Sequence, residues 1–172
     1  MKYQIQPTLQ EQVMRDNDFI VSKTTTKGIL TYANRIFIEF SKYSEKELMG
    51  KQHNVIRHPD MPRGVFKLLW DTLKQDQEIF AYVKNMAKDG SFYWVLANVT
   101  PSYDQQAKVI GYYSVRRKPK PESIEIISEL YRSMLDAEEK AGSKHAIEAS
   151  LELVTNLLAE KGVSYEEFIL SI

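Results

Sequence analysis

The chain has no cysteine, and its 172 residues include only three histidines, seven glycines and six prolines. Without thiols there is no disulfide, no thiolate metal site and no catalytic cysteine, a composition that fits a reducing compartment. The glycines are dispersed, so no glycine-rich phosphate loop is present. Neither charge sign is in excess: Lys+Arg and Asp+Glu both total 23. No global field therefore draws the protein to nucleic acid or to anionic membranes. No apolar run approaches the roughly 18 residues a membrane span needs. The opening MKYQIQPTLQEQV lacks the apolar stretch of a signal peptide. The expectation is a cytoplasmic protein without direct membrane insertion. Internal repeats and low-complexity tracts are also missing. What is present is ordinary for a folded domain: 43% hydrophobic and 27% charged residues.

The periodicity divides the chain into three parts. Residues 1–17 are polar and read as a short helix or an extended arm that caps the domain. From Phe19 two short strands flank SKTTTKG, whose Gly28 suits a hairpin turn. Asn34 is placed to cap a helix with Ile36, Phe37, Phe40 and Tyr43 on one face. Ser44 and Glu47 form a capping-box pair for another short helix that Gly50 ends. RGVFKLLWDTLKQ puts Val65, Phe66, Leu69, Trp70 and Leu73 on one face of a longer helix. Pro62 fits its first turn, and Asp60 stands where an N-cap belongs. From Phe80 the period shortens, and three strands follow, the first two joined by the hairpin dipeptide Asp89-Gly90.

This order predicts an α+β domain over 18–118, a five-stranded antiparallel sheet with helices on one face. Pro119 and Pro121 open a helical extension over 119–172. One stripe runs from Ile124 through Leu135 to Gly142. A second runs Ile147, Leu151, Val154, Leu158, and a short capped helix carries Phe168 and Ile169. Stripes so apolar must be covered, either by the domain, by a second copy or by a partner.

HNVIRHPDMP (residues 53–62) holds two of the three histidines, an arginine and an aspartate. Metal binding is disfavoured, because Pro59 keeps His53 and His58 off a common helical face and a firm site needs at least three converging ligands. No nucleophile elbow or triad spacing is present, so the protein reads as a non-enzyme. The basic run at Arg116, Arg117 and Lys118 reads as a solvated strand end. For the 53–62 stretch two readings stay open: an ordinary helix start, or a cradle for an anionic or polar ligand. Arg57 and His58 beside an apolar helix favour the cradle, since a helix N-terminus adds donors and a positive dipole end.

The strand–helix–strand order resembles a PAS domain. YANRIFIEFSKYSEKELMGKQHNVIRHPDMP, LWDTLK, VKNMAKDGSFYWVLANVTP and GYYSVRRKP are similar to the FAD-binding, Aer-like branch of bacterial energy-taxis PAS domains over about residues 18–140. The resemblance implies a noncovalently bound FAD that acts as a redox sensor. It implies roles in FAD retention for Arg57, His58 and Asp60, and pocket contacts for His53, Trp70, Asn85 and Tyr93, with Asn34 and Asn98 as further candidates. Asn85 is the residue expected to respond to reduction. Where that branch carries a tryptophan before the third strand, this chain has Ile79 and Phe80, with Phe80 as the stand-in. The missing cysteine rules out a flavin–cysteinyl adduct. Membrane anchor, HAMP and signalling segments are missing, so the chain resembles a free-standing, CetB-like energy-taxis PAS subunit. That implies a membrane-bound chemoreceptor partner carrying HAMP and signalling domains, and self-association as a homodimer. Two other readings are an interaction module with no redox cofactor and a haem or small-ligand sensor.

Overall fold

The structure is a computed structural model that describes residues 5–172. The alternation of residues 19–33 folds as the expected hairpin, strands β1 (Ile20–Thr25) and β2 (Leu30–Ala33). Asn34 caps α1 (Arg35–Ser41) by accepting from the Phe37 amide. The same Oδ1 accepts from Val21 N, and Nδ2 donates to Phe19 O, so this one side chain ties the helix to β1. Tyr43 falls outside α1, because Lys42 takes a left-handed conformation (φ 58) and closes the helix on Ile38 O. Ser44 and Glu47 form the full reciprocal capping box of α2 (Glu45–Leu48). A short 3-10 turn over His53–Ile56 leads to α3 (Arg63–Leu73).

Strands β3 (Ile79–Met86), β4 (Phe92–Tyr103) and β5 (Val109–Arg117) complete an antiparallel sheet in the order β2-β1-β5-β4-β3. The two terminal segments of the domain therefore meet in the middle: β1 pairs with β5 in continuous register from Ile20–Arg116 to Thr25–Gly111. Successive residues of a strand face opposite sides. Val83 and Asn85 of β3 face α3, whereas Tyr82 and Lys84 face the other side. Helices α1 to α3 cover the first side, which encloses a core built on Phe37, Phe40, Tyr93 and Val95.

Residues 5–17 form no helix; they end in a turn at Asp16 and Asn17. They run beside the start of β4 through Thr8 N to Gly90 O, Phe92 N to Gln10 O and Gln12 N to Phe92 O. Residues 1–4 of the proposed arm lie outside the described residues.

The apolar stripes after residue 119 fold back onto the domain. Helix α4 (Pro121–Lys161) is broken at Gly142, whose φ of 73 and ψ of 166 separate two helical segments, and α5 (Tyr165–Ser171) follows. Tyr131 stacks on Trp94 and donates to Tyr82 O at 2.7 Å. Val154, Phe168 and Ile169 join the same buried cluster with Met61 and Val65. The second face of β3 and β4 is thus covered by helices too. Phe80 packs on this outer cluster, so it does not stand in for a pocket tryptophan.

The two-segment helix also answers how α3 begins. Asp60 does not cap it; Pro62 occupies the N-cap and offers no side-chain acceptor. The missing acceptor comes from far along the chain. Buried Glu138 of α4 accepts from the Gly64 amide at 3.0 Å. Gly64 packs so closely on α4 that a Cβ there would lie 2.5 Å from Ser150 Oγ.

Candidate functional site

A cavity lies between α3 and the inner face of the sheet. It encloses about 910 Å³ of non-atom space, counting its open mouth. Phe66, Leu69 and Trp70 of α3 form one wall, and Val83, Ala97 and Val99 of the sheet form the opposite one. Trp70 meets Tyr112 edge-on with ring centroids 5.6 Å apart. Gly28 makes room for the indole: a Cβ there would come within 3.2 Å of it.

The polar lining is concentrated at one side. Arg116 of β5 is 3% exposed, and its Nη2 donates to Ser22 Oγ and to His53 Nε2, the latter at 2.6 Å. Arginine only donates, so Nε2 accepts and the imidazole proton sits on Nδ1. Burial and the neighbouring guanidinium push the His53 pKa well below its usual value, which keeps the ring neutral. Burial lowers Arg116 to about 10, still protonated at neutral pH.

Asn85 is also only 3% exposed and lines the cavity. Its Nδ2, Ser114 Oγ and Arg116 Nη1 all lack hydrogen-bond partners. Buried polar groups are nearly always paired, and an unpaired one costs about 1–3 kcal/mol. Three such groups stand around one cavity, where the acceptors and donor of a polar ring edge would pair them.

The 53–62 stretch divides in two. His53 and Arg57 line the cavity. Arg57 also forms an isolated antiparallel bridge with Asn85, which docks the stretch on the free edge of β3. The Arg57 guanidinium lies 4.1 Å from the Phe66 ring centroid and donates to Met61 O at 2.9 Å. Partial burial lowers its pKa, with Glu138 acting in the opposite direction. His58 and Asp60 do not reach the cavity. The buried His58 ring packs edge-on against Phe92, and its Nδ1 accepts from Asp60 N. Asp60, with its side chain 59% exposed, pairs with Lys84 Nζ at 2.7 Å. Their places are set by the β3 edge rather than by a helix start.

Of the remaining candidates, Trp70 and Asn85 line the cavity, whereas Tyr93, Asn34 and Asn98 do not. Tyr93 is fully buried behind it, edge-on to Phe40, and its hydroxyl has no partner. Asn34 spends its amide on α1 and β1 as described. Asn98 is on the outer face, donating to Glu78. Ser22, Ser114 and above all Arg116 also line the cavity, and Arg116 is a buried group rather than the solvated strand end its basic run suggests. On β5, Tyr112, Ser114 and Arg116 alternate onto the face that lines the cavity, a face fixed by pairing with β1.

Among the described residues, no cluster of three His, Cys, Asp or Glu side chains is placed to hold a metal, and no helix is long and apolar enough to cross a membrane.

A family model described as a PAS fold matches residues 30–116. The chain is 37% identical over 127 residues to the aerotaxis receptor of Escherichia coli strain K12, a match covering 74% of this chain and 25% of that receptor. The nitrogen fixation regulatory protein of Klebsiella pneumoniae is 29% identical over 97 residues, 56% of this chain and 20% of that protein. The chain thus spans a quarter or less of the length of these relatives. A solved structure of a light-oxygen-voltage domain studied with a flavin analogue superposes with a TM-score of 0.54 at 19% identity, covering 72% of this chain and 87% of that one. The LOV domain of a blue-light activated histidine kinase from Erythrobacter litoralis gives 0.54 at 19%, covering 58% and 94%. Sheet order and family match agree: the chain belongs to the PAS family and is a sensor-type domain related to the aerotaxis receptor.

Proposed function

We propose that this chain is a flavin-binding PAS redox sensor, with FAD as its cofactor, that reports to a separate membrane-bound chemoreceptor bearing HAMP and signalling domains. The observation that carries the reading is the set of unpartnered buried polar atoms on Asn85, Ser114 and Arg116 in a cavity whose other walls include Trp70, Phe66, Leu69, Val83 and Val99. A flat heteroaromatic ring with acceptors and a donor along its edge fits that chemistry. The resemblance of its motifs to the FAD-binding, Aer-like branch favours FAD among such rings. FAD, when bound, supplies a ring whose charge and hydrogen-bonding edge change with its electron load.

The chain's own residues do the rest. Trp70 and Phe66 exclude water from the ring's face. Asn85 is suited to respond to a change at the ring, because its amide donates or accepts after rotation. Arg57 is suited to an anionic group at the cavity mouth. Arg57 also borders a second groove, with Arg63, Glu138 and Gly142 at the break in α4. A ligand that draws Arg57 inward weakens its attraction to Glu138, the acceptor that caps α3. Ligand state then biases the α3–α4 contact, and each state must contact the pocket differently for that bias to exist. The helical extension is the surface proposed to carry the signal to the receptor, in the cytoplasm. A haem reading is weaker, because Nε2 of His53, the histidine that lines the cavity, is already held by Arg116.

The test is to express the full chain, release any bound cofactor by heat, and separate it by chromatography. FAD in near-stoichiometric amount supports the reading. FMN, haem or no cofactor after reconstitution with FAD contradicts it.

A further inference from the structure

Arg116 is a buried cation surrounded by neutral groups. Its Nη2 is held by Ser22 and His53, and the Phe37 ring centroid lies 5.1 Å from the guanidinium. No carboxylate pairs with it among the described residues, and its Nη1 has no acceptor. A buried charge without a partner is strongly disfavoured, so such groups are kept where something else completes them. The other cavity arginine is different. Arg57 has a carbonyl acceptor, an aromatic ring beneath it and the Glu138 carboxylate acting on it. Arg57 is already compensated within the chain, and Arg116 is not.

We propose that Arg116 is the counter-charge of the ligand: the electron-rich edge of the bound ring lies against β5 and β1, where Nη1 donates to it, and negative charge gained by the ring on reduction is compensated there. This deepens the flavin reading and rests on it. It assigns which edge of the ring meets which strands, and which residue reads its charge. His53 and Ser22 are positioning residues. They hold Nη2 and leave Nη1 as the free donor. The neutral state of His53 is part of the device, since only an unprotonated Nε2 accepts from Nη2 and holds it in place.

A fixed positive charge stabilises the reduced, more negative ring more than the oxidised one. Removing it must weaken reduced-state binding relative to oxidised-state binding, which lowers the reduction potential of the bound flavin. A tenfold change in the ratio of the two affinities corresponds to about 30 mV for a two-electron couple.

The experiment uses the full chain reconstituted with FAD and measures its midpoint potential by spectroelectrochemistry for wild type, Arg116→Gln and Arg116→Lys. The expected result is a fall of at least tenfold in the affinity ratio for Arg116→Gln and a value near wild type for Arg116→Lys. Because Arg116→Gln is a core change, a second measurement is made on wild type alone: arginine side-chain nitrogen resonances with and without FAD. Arg116 is expected to shift and gain protection from exchange. Flavin bound with an unchanged Arg116 resonance, or an unchanged potential in a folded Arg116→Gln, overturns this assignment alone. Failure of wild type to take up flavin overturns the flavin reading and this assignment together.

Discussion

Arg57 and Asn85 face each other across the free edge of the sheet as an isolated antiparallel bridge, and both side chains line the cavity. The 53–62 loop is therefore an extra rung on β3 rather than a separate lid. Asn85 enters that cavity with an unpartnered Nδ2. An orphaned donor contributes nothing to the stability of the ligand-free fold and costs desolvation. Asn85→Ala is expected to leave the melting temperature of the flavin-free protein unchanged or raised, while weakening FAD binding about tenfold, the value of one good hydrogen bond. Differential scanning fluorimetry with and without FAD separates the two effects; equal loss in both states would make Asn85 purely structural.

The α3–α4 contact is tested at Gly64. An added methyl meets Ser150 Oγ at 2.5 Å and its Cβ at 2.8 Å, too close for either to stay in place. Gly64→Ala is expected to destabilise by about 1–3 kcal/mol, as overpacked cores do. Pairing it with Ser150→Gly should recover much of the loss. Urea titration of the two single variants and the double variant checks the coupling; simple additivity would show that the two helices do not touch there.

The helical extension is expected to be part of the domain's core. Phe168 is 5% exposed among Tyr82, Trp94, Tyr131 and Val154. Phe168→Ala should cost about 3–5 kcal/mol. Removing residues 143–172 should expose apolar surface and lower the melting temperature of the whole domain. A truncated chain that melts like wild type would place the extension outside the core.

Stability should fall on acidification. Burial is the first cause that depresses both His53 and His58, with Arg116 adding to it at His53 and Lys84 at His58, while Asp60 opposes it at His58. In the unfolded chain both return to a value near 6.5. Below that pH the unfolded state binds more protons than the folded one, so stability rises with pH and is lost as pH drops from about 6.5 toward the depressed folded values. Each histidine contributes a slope of up to about 1.4 kcal/mol per pH unit in that window. Unfolding free energies from pH 7.5 down to 5 should show the loss, and His53→Asn should flatten it.

The fold was readable because its local signals are strong and agree. The Asp89-Gly90 turn, the Ser44–Glu47 capping box and the Gly142 break all stand where the residues predict. The cavity was half readable. His53, Arg57, Trp70 and Asn85 line it, and three of them sit on elements with clear periodicity or a distinctive motif. Arg116 was missed because a strand with aromatic residues on both faces gives no sign of which face is inward; only pairing with β1 decides it. Asp60 was misplaced for a related reason. Its offset suits an N-cap, but Lys84 on the neighbouring strand captures the carboxylate, and the cap comes from Glu138, 74 residues from Gly64. Partners that distant leave no local trace in a sequence.

The central claim is that this cavity takes a flavin. The most direct measurement is an absorbance titration of the full, cofactor-stripped chain with FAD. The account predicts saturable binding of one FAD per chain, with the flavin bands sharpened as the ring leaves water and Trp70 fluorescence quenched in parallel. An unaltered free-flavin spectrum at every protein concentration, with Trp70 fluorescence unchanged, would contradict it.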